Sequence, residues 1–480
     1  MVNFLAYVYF GALIVAMIAF GPSPLLYGLF ALLAALFILP NHHLLGLSLI
    51  IVLTMVFERF FTLQGLVIDK NVYKLYLIDI VIGFSFLAWL VNHKINEGKK
   101  KIILGWPEKI LLIWLALVAV YLIRSTFDLN ADLAVSFSSF KNYFFYPLLY
   151  FFVIFSIDSG QKLKNIVHLM LLTASGLIIF LFIGLVNGAG LWTEFTPLST
   201  VGTRYLAGTH AFYLALALII TVALLIYRRL RNEIFSLGIM GLWGLGIGLS
   251  LMRHLWLALF AGLATLFILL ENKYKRALIT YSAKTGTVVA AALMILICAA
   301  SLLYFQGLGQ KTLDSVQAVS LRLLSVTNLG EDTSVAWRQN LWLDAKGLWL
   351  NHPIIGIGFG HTVLTDNGDY SSFEEVRNMH NSPLAITVQM GLVGLAVFGL
   401  FIIAALSESF WSLKRNSDLE PYYLGLFAVM IVFLVASFFQ PYLETNLLGI
   451  WLWLLLGLLR TASIIKDMNT DYRQPQKNKL

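Results

Sequence analysis

Apolar runs of membrane length recur along almost the whole 480-residue chain, and this recurrence decides the kind of fold open to it. In lipid a segment must satisfy its own backbone polar groups, so an apolar run of roughly 20 residues is read as a helix. Such runs lie near 4–20, 24–39, 44–57, 75–92, 109–123, 142–157 and 165–187. Others lie near 205–227, 233–251, 255–270, 285–305, 384–407, 421–439 and 445–460. The expectation is an all-α polytopic membrane protein with about 14 transmembrane helices. The first three runs are short, and a re-entrant pair among them would leave about 12, giving a range of roughly 12–14. Composition agrees, at 59% hydrophobic and 12% charged residues, against about 45–50% and 25% in soluble domains. The first run lacks a basic leader and passes straight into the second, so no cleavable signal peptide is expected.

One stretch breaks the pattern. Residues 306–383 are too long for a turn between helices and are not of low complexity, so a folded loop against the membrane is expected. It carries Trp337, Trp342, Trp349, a glycine-rich turn and several arginines. At helical spacing Arg338, Trp342, Ala345 and Trp349 share one face, behind a capping Asp332 or Thr333. That is the pattern of a short amphipathic helix lying at the interface. The expected organisation is a bundle of about eleven spans over 1–305, the loop over 306–383, about three spans over 384–461, and a basic tail over 462–480.

Charge sets the direction. With a cytoplasmic N-terminus, the inner connections hold Lys94, Lys99–Lys101, Lys109, Lys162, Lys164, Arg228, Arg229, Arg231, Lys273, Lys275, Arg276, Lys284, Lys414 and Arg415. The stretch from Arg460 to Lys479 is also inside, so most of the 33 Lys and Arg face the cytoplasm. Both termini are therefore expected inside and residues 306–383 outside, in the periplasm of a bacterial inner membrane. Basic clusters that follow topology give no reason to expect a nucleic-acid partner. An outer loop has no nucleotide to meet, so Gly356-Ile-Gly358-Phe-Gly360 is read as a tight turn after His352-Pro353, not a dinucleotide loop. The single cysteine, Cys298, and the scattered histidines provide no metal-ligand spacing, and neither metal nor cofactor is expected.

Positive residues on the outer side escape the topological explanation. Among them are Arg204, Arg253, Arg322, Arg338 and Arg377, with His380 beside them. Arg253 sits in Ser250-Leu-Met-Arg253-His254-Leu-Trp256-Leu257, a reversal so tight that its guanidinium is confined to the membrane boundary. There it either snorkels to lipid phosphates or presents a fixed donor fork to a phosphate-bearing substrate. His380 precedes Asn381-Ser382-Pro383 and an apolar run, where Ser382 reads as N-cap and Pro383 as N1. A helix N-terminus favours an anion, and a histidine there suits proton transfer near neutrality. Asp79, near the outer end of its run, is expected to pair with an outer arginine.

Arg253-x-x-x-Leu257 and His380 followed by ten residues and Gly391 resemble the R-x3-L and H-x10-G motifs of the O-antigen ligase family, which shares its membrane domain with Wzy-type O-antigen polymerases. Arg204-x-x-x-Gly208, Arg338 ahead of Asn351-His-Pro-Ile-Ile-Gly356-Ile-Gly358-Phe, and Gly391-x-x-Gly394 are similar too. The resemblance covers roughly residues 200–400. It implies an inverting, metal-independent glycosyltransferase of the membrane-embedded C-type fold. The donor would be an undecaprenyl-diphosphate-linked glycan at the outer face of the inner membrane. The acceptor would be lipid A–core for a ligase, or a second lipid-linked glycan for a polymerase. By the same resemblance Arg253 and Arg338 would hold the diphosphate, and His380 would activate the acceptor hydroxyl. Arg204, Arg322, Arg377 and Trp337 would line the donor site, and Leu257, Gly356, Gly358 and Gly391 would shape it.

Other classes fit the sequence less well. A lipid-linked glycan flippase or other secondary transporter would show paired repeats and charges near mid-bilayer, whereas here the loop divides the spans unevenly and the candidates share one surface. A cell-wall glycan polymerase of the shape, elongation and division type lacks its expected loop acid, and a scaffold leaves the outer arginines unexplained.

Overall fold

The structure is a computed structural model, and it describes residues 2–20, 23–40, 43–56, 66–68, 71–73, 76–95, 104–129, 131–187, 205–305, 333–365, 375–376, 378–412 and 418–471. It is helical almost throughout. The helices are α1 (Val2–Phe20), α2 (Pro24–Ile38), α3 (His43–Val56), α4 (Leu77–Ile95), α5 (Trp106–Ile123), α6 (Leu133–Phe140), α7 (Leu148–Ser156), α8 (Gly160–Gly176) and α9 (Ile178–Asn187). They continue with α10 (Gly208–Ile226), α11 (Glu233–Leu249), α12 (Arg253–Leu269), α13 (Asn272–Phe305), α14 (Thr333–Asn351), α15 (Ser382–Ser412), α16 (Glu420–Ser437) and α17 (Asn446–Asp471). Among the described residues seven helical stretches are long and apolar enough to cross a membrane, and six more apolar helices are shorter. The chain is thus an all-α polytopic membrane protein. Among the described residues two short antiparallel ribbons accompany the helices, Leu66–Ile68 with Asn71–Tyr73 and Val363–Leu364 with Glu375–Val376.

The core sits on α10, which is apolar on every face and buried along its whole length, as an all-round apolar helix must be. Helices α11, α12 and α16 pack directly on it. Gly262 of α12 lets Val432 of α16 approach, and Gly425 of α16 meets the Ile220 backbone. Small residues substitute for a hydrophobic drive that lipid does not provide, because they let backbones come close. The same device joins α11 to α13, where Gly241 and Gly244 lie under Val288 and Val289.

Two π-helical turns interrupt the N-terminal half, Arg124–Asp128 after α5 and Lys141–Phe145 between α6 and α7. The second aims Lys141 at Asp79. Its Nζ lies 2.8 Å from the carboxylate, which also accepts from Tyr146 Oη at 3.0 Å and Tyr76 N at 3.1 Å. The expected arginine partner of Asp79 is therefore a lysine, brought there by a helix irregularity that periodicity does not encode. At the opposite end of the bundle Arg460 is not part of a basic tail. It donates to Glu108 at 2.8 Å and pairs with Glu408, and Tyr150 Oη completes the carboxylate at 2.8 Å. The final helix runs on to Asp471, past the boundary expected at 461, with Ala462, Ser463 and Ile465 buried.

Candidate functional site

Helix α14 lies across the start of α15. Leu341 and Ala345 are fully buried against Met379, Ala385 and Val388, with Trp337, Trp342 and Trp349 half-buried around them. A helix is present where one was expected, but it is not amphipathic: Leu341 and Ala345 are covered by protein, while Leu343 and Leu350 on the other side are apolar and exposed. Trp342 Nε1 donates to Met379 O at 2.8 Å, which fixes the backbone just before His380.

His380 has a left-handed backbone, φ +50°, uncommon for a residue with a side chain. The conformation leads into a cap one residue earlier than expected. Asn381, not Ser382, caps α15, its Oδ1 accepting from Leu384 N at 3.0 Å. Ser382 is the first helical residue, and its hydroxyl is turned aside to Glu444 Oε2 at 2.7 Å while it accepts from Leu443 N at 3.1 Å. Sequence spacing cannot separate two adjacent capping residues when the second has a distant partner.

The His380 ring stands edge-on to Trp337, with centroids 5.1 Å apart, and its Nδ1 lies 3.0 Å from Gln440 Oε1. Burial and then the nearby Arg338 guanidinium push its pKa down to about 4, the Gln440 contact opposing them. Gln440 belongs to residues 438–445, the connection between α16 and α17, which nothing in the local sequence marks as part of a site. Tyr143 Oη and Asn142 Nδ2 anchor that connection at the Glu444 carboxylate and carbonyl, each at 2.8 Å. Tyr442 Oη comes to 3.5 Å from His254 Nε2, beside Arg253.

Arg253 is the first residue of α12, after a reversal in which Leu251 takes φ +58°. One turn on, Leu257 is exposed and lines a shallow, open apolar cleft of about 490 Å3 with Phe260, Trp342, Asn381 and Phe439. The leucine of the R-x3-L pattern therefore faces the cleft instead of packing the bundle. Arg253, Arg338, Trp337 and His380 are gathered at one end of the bundle. Arg204, Arg322 and Arg377 lie outside the described residues.

The glycines act as one joint. Gly391 breaks α15 with φ +64° and backbone angles outside the helical region. Pro353 to Gly358 fills the break: Ile357 N and Gly358 N donate to Val388 O and Gln389 O, each at 2.9 Å. In return Leu392 N and Val393 N donate to Pro353 O and Ile354 O at 2.9 and 3.2 Å. A Cβ on Gly391 would sit on the Ile354 carbonyl, and one on Gly356 would come within 2.6 Å of the Gln389 carbonyl. Gly356, Gly358 and Gly360 all have positive φ, and Gly356 N donates to His352 O at 2.8 Å, so the tight-turn reading holds. Arg124, which the sequence did not single out, clamps this loop by donating to the carbonyls of Ile355 and Gly356 at 3.0 and 3.2 Å.

Residues 238–399 match the sequence model of the O-antigen ligase family, Wzy_C. The matched segment contains Arg253, Arg338, His380 and Gly391, the residues on which the resemblance rested. The matched segment is thus similar to O-antigen ligases, and with the membrane helices this supports a membrane function of the glycosyltransferase type. Arg204, Gln440 and Glu444 lie outside that segment. The comparison with curated proteins finds no match.

Proposed function

We propose that the protein transfers a glycan from a polyprenyl diphosphate to an acceptor hydroxyl at the outer face of the bacterial inner membrane, with inversion at the anomeric carbon. The observation that carries this reading is the meeting of His380 with Arg338 and Trp337 beside an apolar cleft that begins one turn from Arg253. Each part has a chemical task. The cleft suits an isoprenoid chain, and the two guanidinium groups suit the diphosphate. Fixed guanidinium groups stabilise the charge that collects on a leaving diphosphate better than reorganising water does. His380 accepts the acceptor proton as the acceptor oxygen bonds to the anomeric carbon and the carbon–oxygen bond to diphosphate breaks. The basic clusters support the orientation, since Arg229, paired with Asp418 at 2.8 Å, lies at the end of the bundle opposite His380. The acceptor is lipid A–core or a second lipid-linked glycan.

Transfer from a synthetic polyprenyl-diphosphate glycan to each acceptor, by purified full-length protein, tests the reading. General-base catalysis contributes on the order of 10²–10⁴-fold, so His380→Ala should lose at least that much turnover while donor binding persists. Chelator should leave the wild-type rate unchanged. A variant that keeps more than about a tenth of wild-type turnover would remove His380 from the base role.

A further inference from the structure

We propose that Gln440 is a positioning residue for His380, holding the proton on Nδ1 so that Nε2 presents the lone pair that receives the acceptor proton. The inference rests on the reading of His380 as base and adds a residue 60 positions away, outside the matched family segment. An amide oxygen only accepts, so the 3.0 Å contact from Gln440 Oε1 to Nδ1 requires the proton to be on Nδ1. The other ring nitrogen is then the basic one.

The platform is rigid. Gln440 sits in a short connection whose far end is pinned by Tyr143 and Asn142 on Glu444, and Ser382 Oγ ties Glu444 back to the strand of chain carrying His380. His380 itself is fixed from behind by the Trp342 bond to Met379 O and from the side by the Trp337 ring. Two bonds and one ring therefore define the imidazole plane before substrate arrives.

The choice of an amide has chemical content. A carboxylate at this place would favour the imidazolium, whereas an amide orients the ring without adding charge. The described charged or titratable groups around the ring are Arg338 on α14, Glu444 and Tyr442 in the same connection as Gln440, and Arg253 and His254 where α12 begins. Arg338 opposes protonation, so the free enzyme keeps the ring neutral. A diphosphate bound at the guanidinium groups would offset that repulsion and make the ring a stronger base when it is needed.

The test measures kcat, donor KM and the pH dependence of transfer for full-length wild type, His380→Ala, Gln440→Leu and Gln440→Glu. Gln440→Leu should lower kcat at least about 10-fold, less than the roughly 10²–10⁴-fold of losing the base, with donor KM changed by less than about 3-fold. Gln440→Glu, which can only accept, should regain most of the lost kcat. It should also move the acid limb of the pH profile upward from its wild-type position, because a carboxylate favours the imidazolium. Near-wild-type turnover in Gln440→Leu, a Glu variant as impaired as Leu, or an acid limb that stays in place would overturn the proposal. A residue with a merely structural role would not shift that limb. If His380→Ala remains active, the base assignment itself fails. If it is inactive and the limb does not move, only the role of Gln440 fails.

Discussion

At the scale of single residues, Arg253 shows how position turns a common side chain into a specific one. It opens α12 after a connection of three residues, so its guanidinium has little freedom to follow a lipid headgroup. A guanidinium grips two oxygens of a diphosphate with a planar fork, which the point charge of an ammonium does not reproduce. A hydrogen bond to a charged group is worth roughly 1.5–3 kcal/mol, so Arg253→Lys should transfer glycan roughly 10- to 100-fold more slowly despite the conserved charge. Steady-state transfer by the purified variant is the measurement, and wild-type turnover would return Arg253 to the class of snorkelling interfacial arginines. Arg253, Arg338 and His380 were legible in the sequence because an outer-face cation or a histidine at a helix start needs an explanation that topology does not provide. Gln440 was not legible. A glutamine beside a proline in a connection between two apolar helices has no local signature, and its meaning comes only from packing against a residue 60 positions earlier.

At the scale of elements, the broken helix α15 and the loop 353–358 form one unit held by mutual backbone bonds. Gly391→Ala forces a Cβ onto the Ile354 carbonyl at φ +64°, and a backbone strained in this way costs about 1–3 kcal/mol before the clash is counted. The variant is expected to lower the unfolding temperature of the purified protein by several degrees and to lower transfer in proportion. Gly399, on the same helix with open space around it, is the control. An unchanged melting temperature in Gly391→Ala would show that the joint relaxes freely. Most helices were readable from apolar length, yet their details were not. The helix near 255–270 and the helical stretch around Arg338 followed from the sequence, although the first begins at Arg253 and the second is not amphipathic. The π-turn that carries Lys141 to Asp79 did not, because the irregularity is imposed by tertiary partners and leaves the hydropathy pattern intact. Asn381 and Ser382 are both good caps, and only Glu444 decides between them.

At the scale of the whole molecule, the candidate site and the basic cluster Arg228 to Arg231 lie at opposite ends. His380, Arg253 and residues 438–445 meet at one end, and Arg228 to Arg231 lie at the other. In a Cys298-free protein, Asn340→Cys, on the exposed side of α14, should react with an impermeant thiol reagent in intact spheroplasts, and Arg231→Cys should react only after lysis. The reverse labelling would place the site in the cytoplasm and remove a polyprenyl-diphosphate donor displayed outside. Arg460 lies at the end where the charge tally puts it, and there it is also bound between Glu108 and Glu408. The joint between the loop and α15 also bears on motion. Lifting residues 353–358 would unpair four backbone hydrogen bonds, and the two at buried Val388 and Gln389 would each leave a carbonyl unsatisfied at a cost of about 1–3 kcal/mol. Arg124 would lose its two carbonyl acceptors in the same step. This stretch is therefore a poor hinge, and any movement that admits the proposed donor and acceptor should take place around it while it stays still.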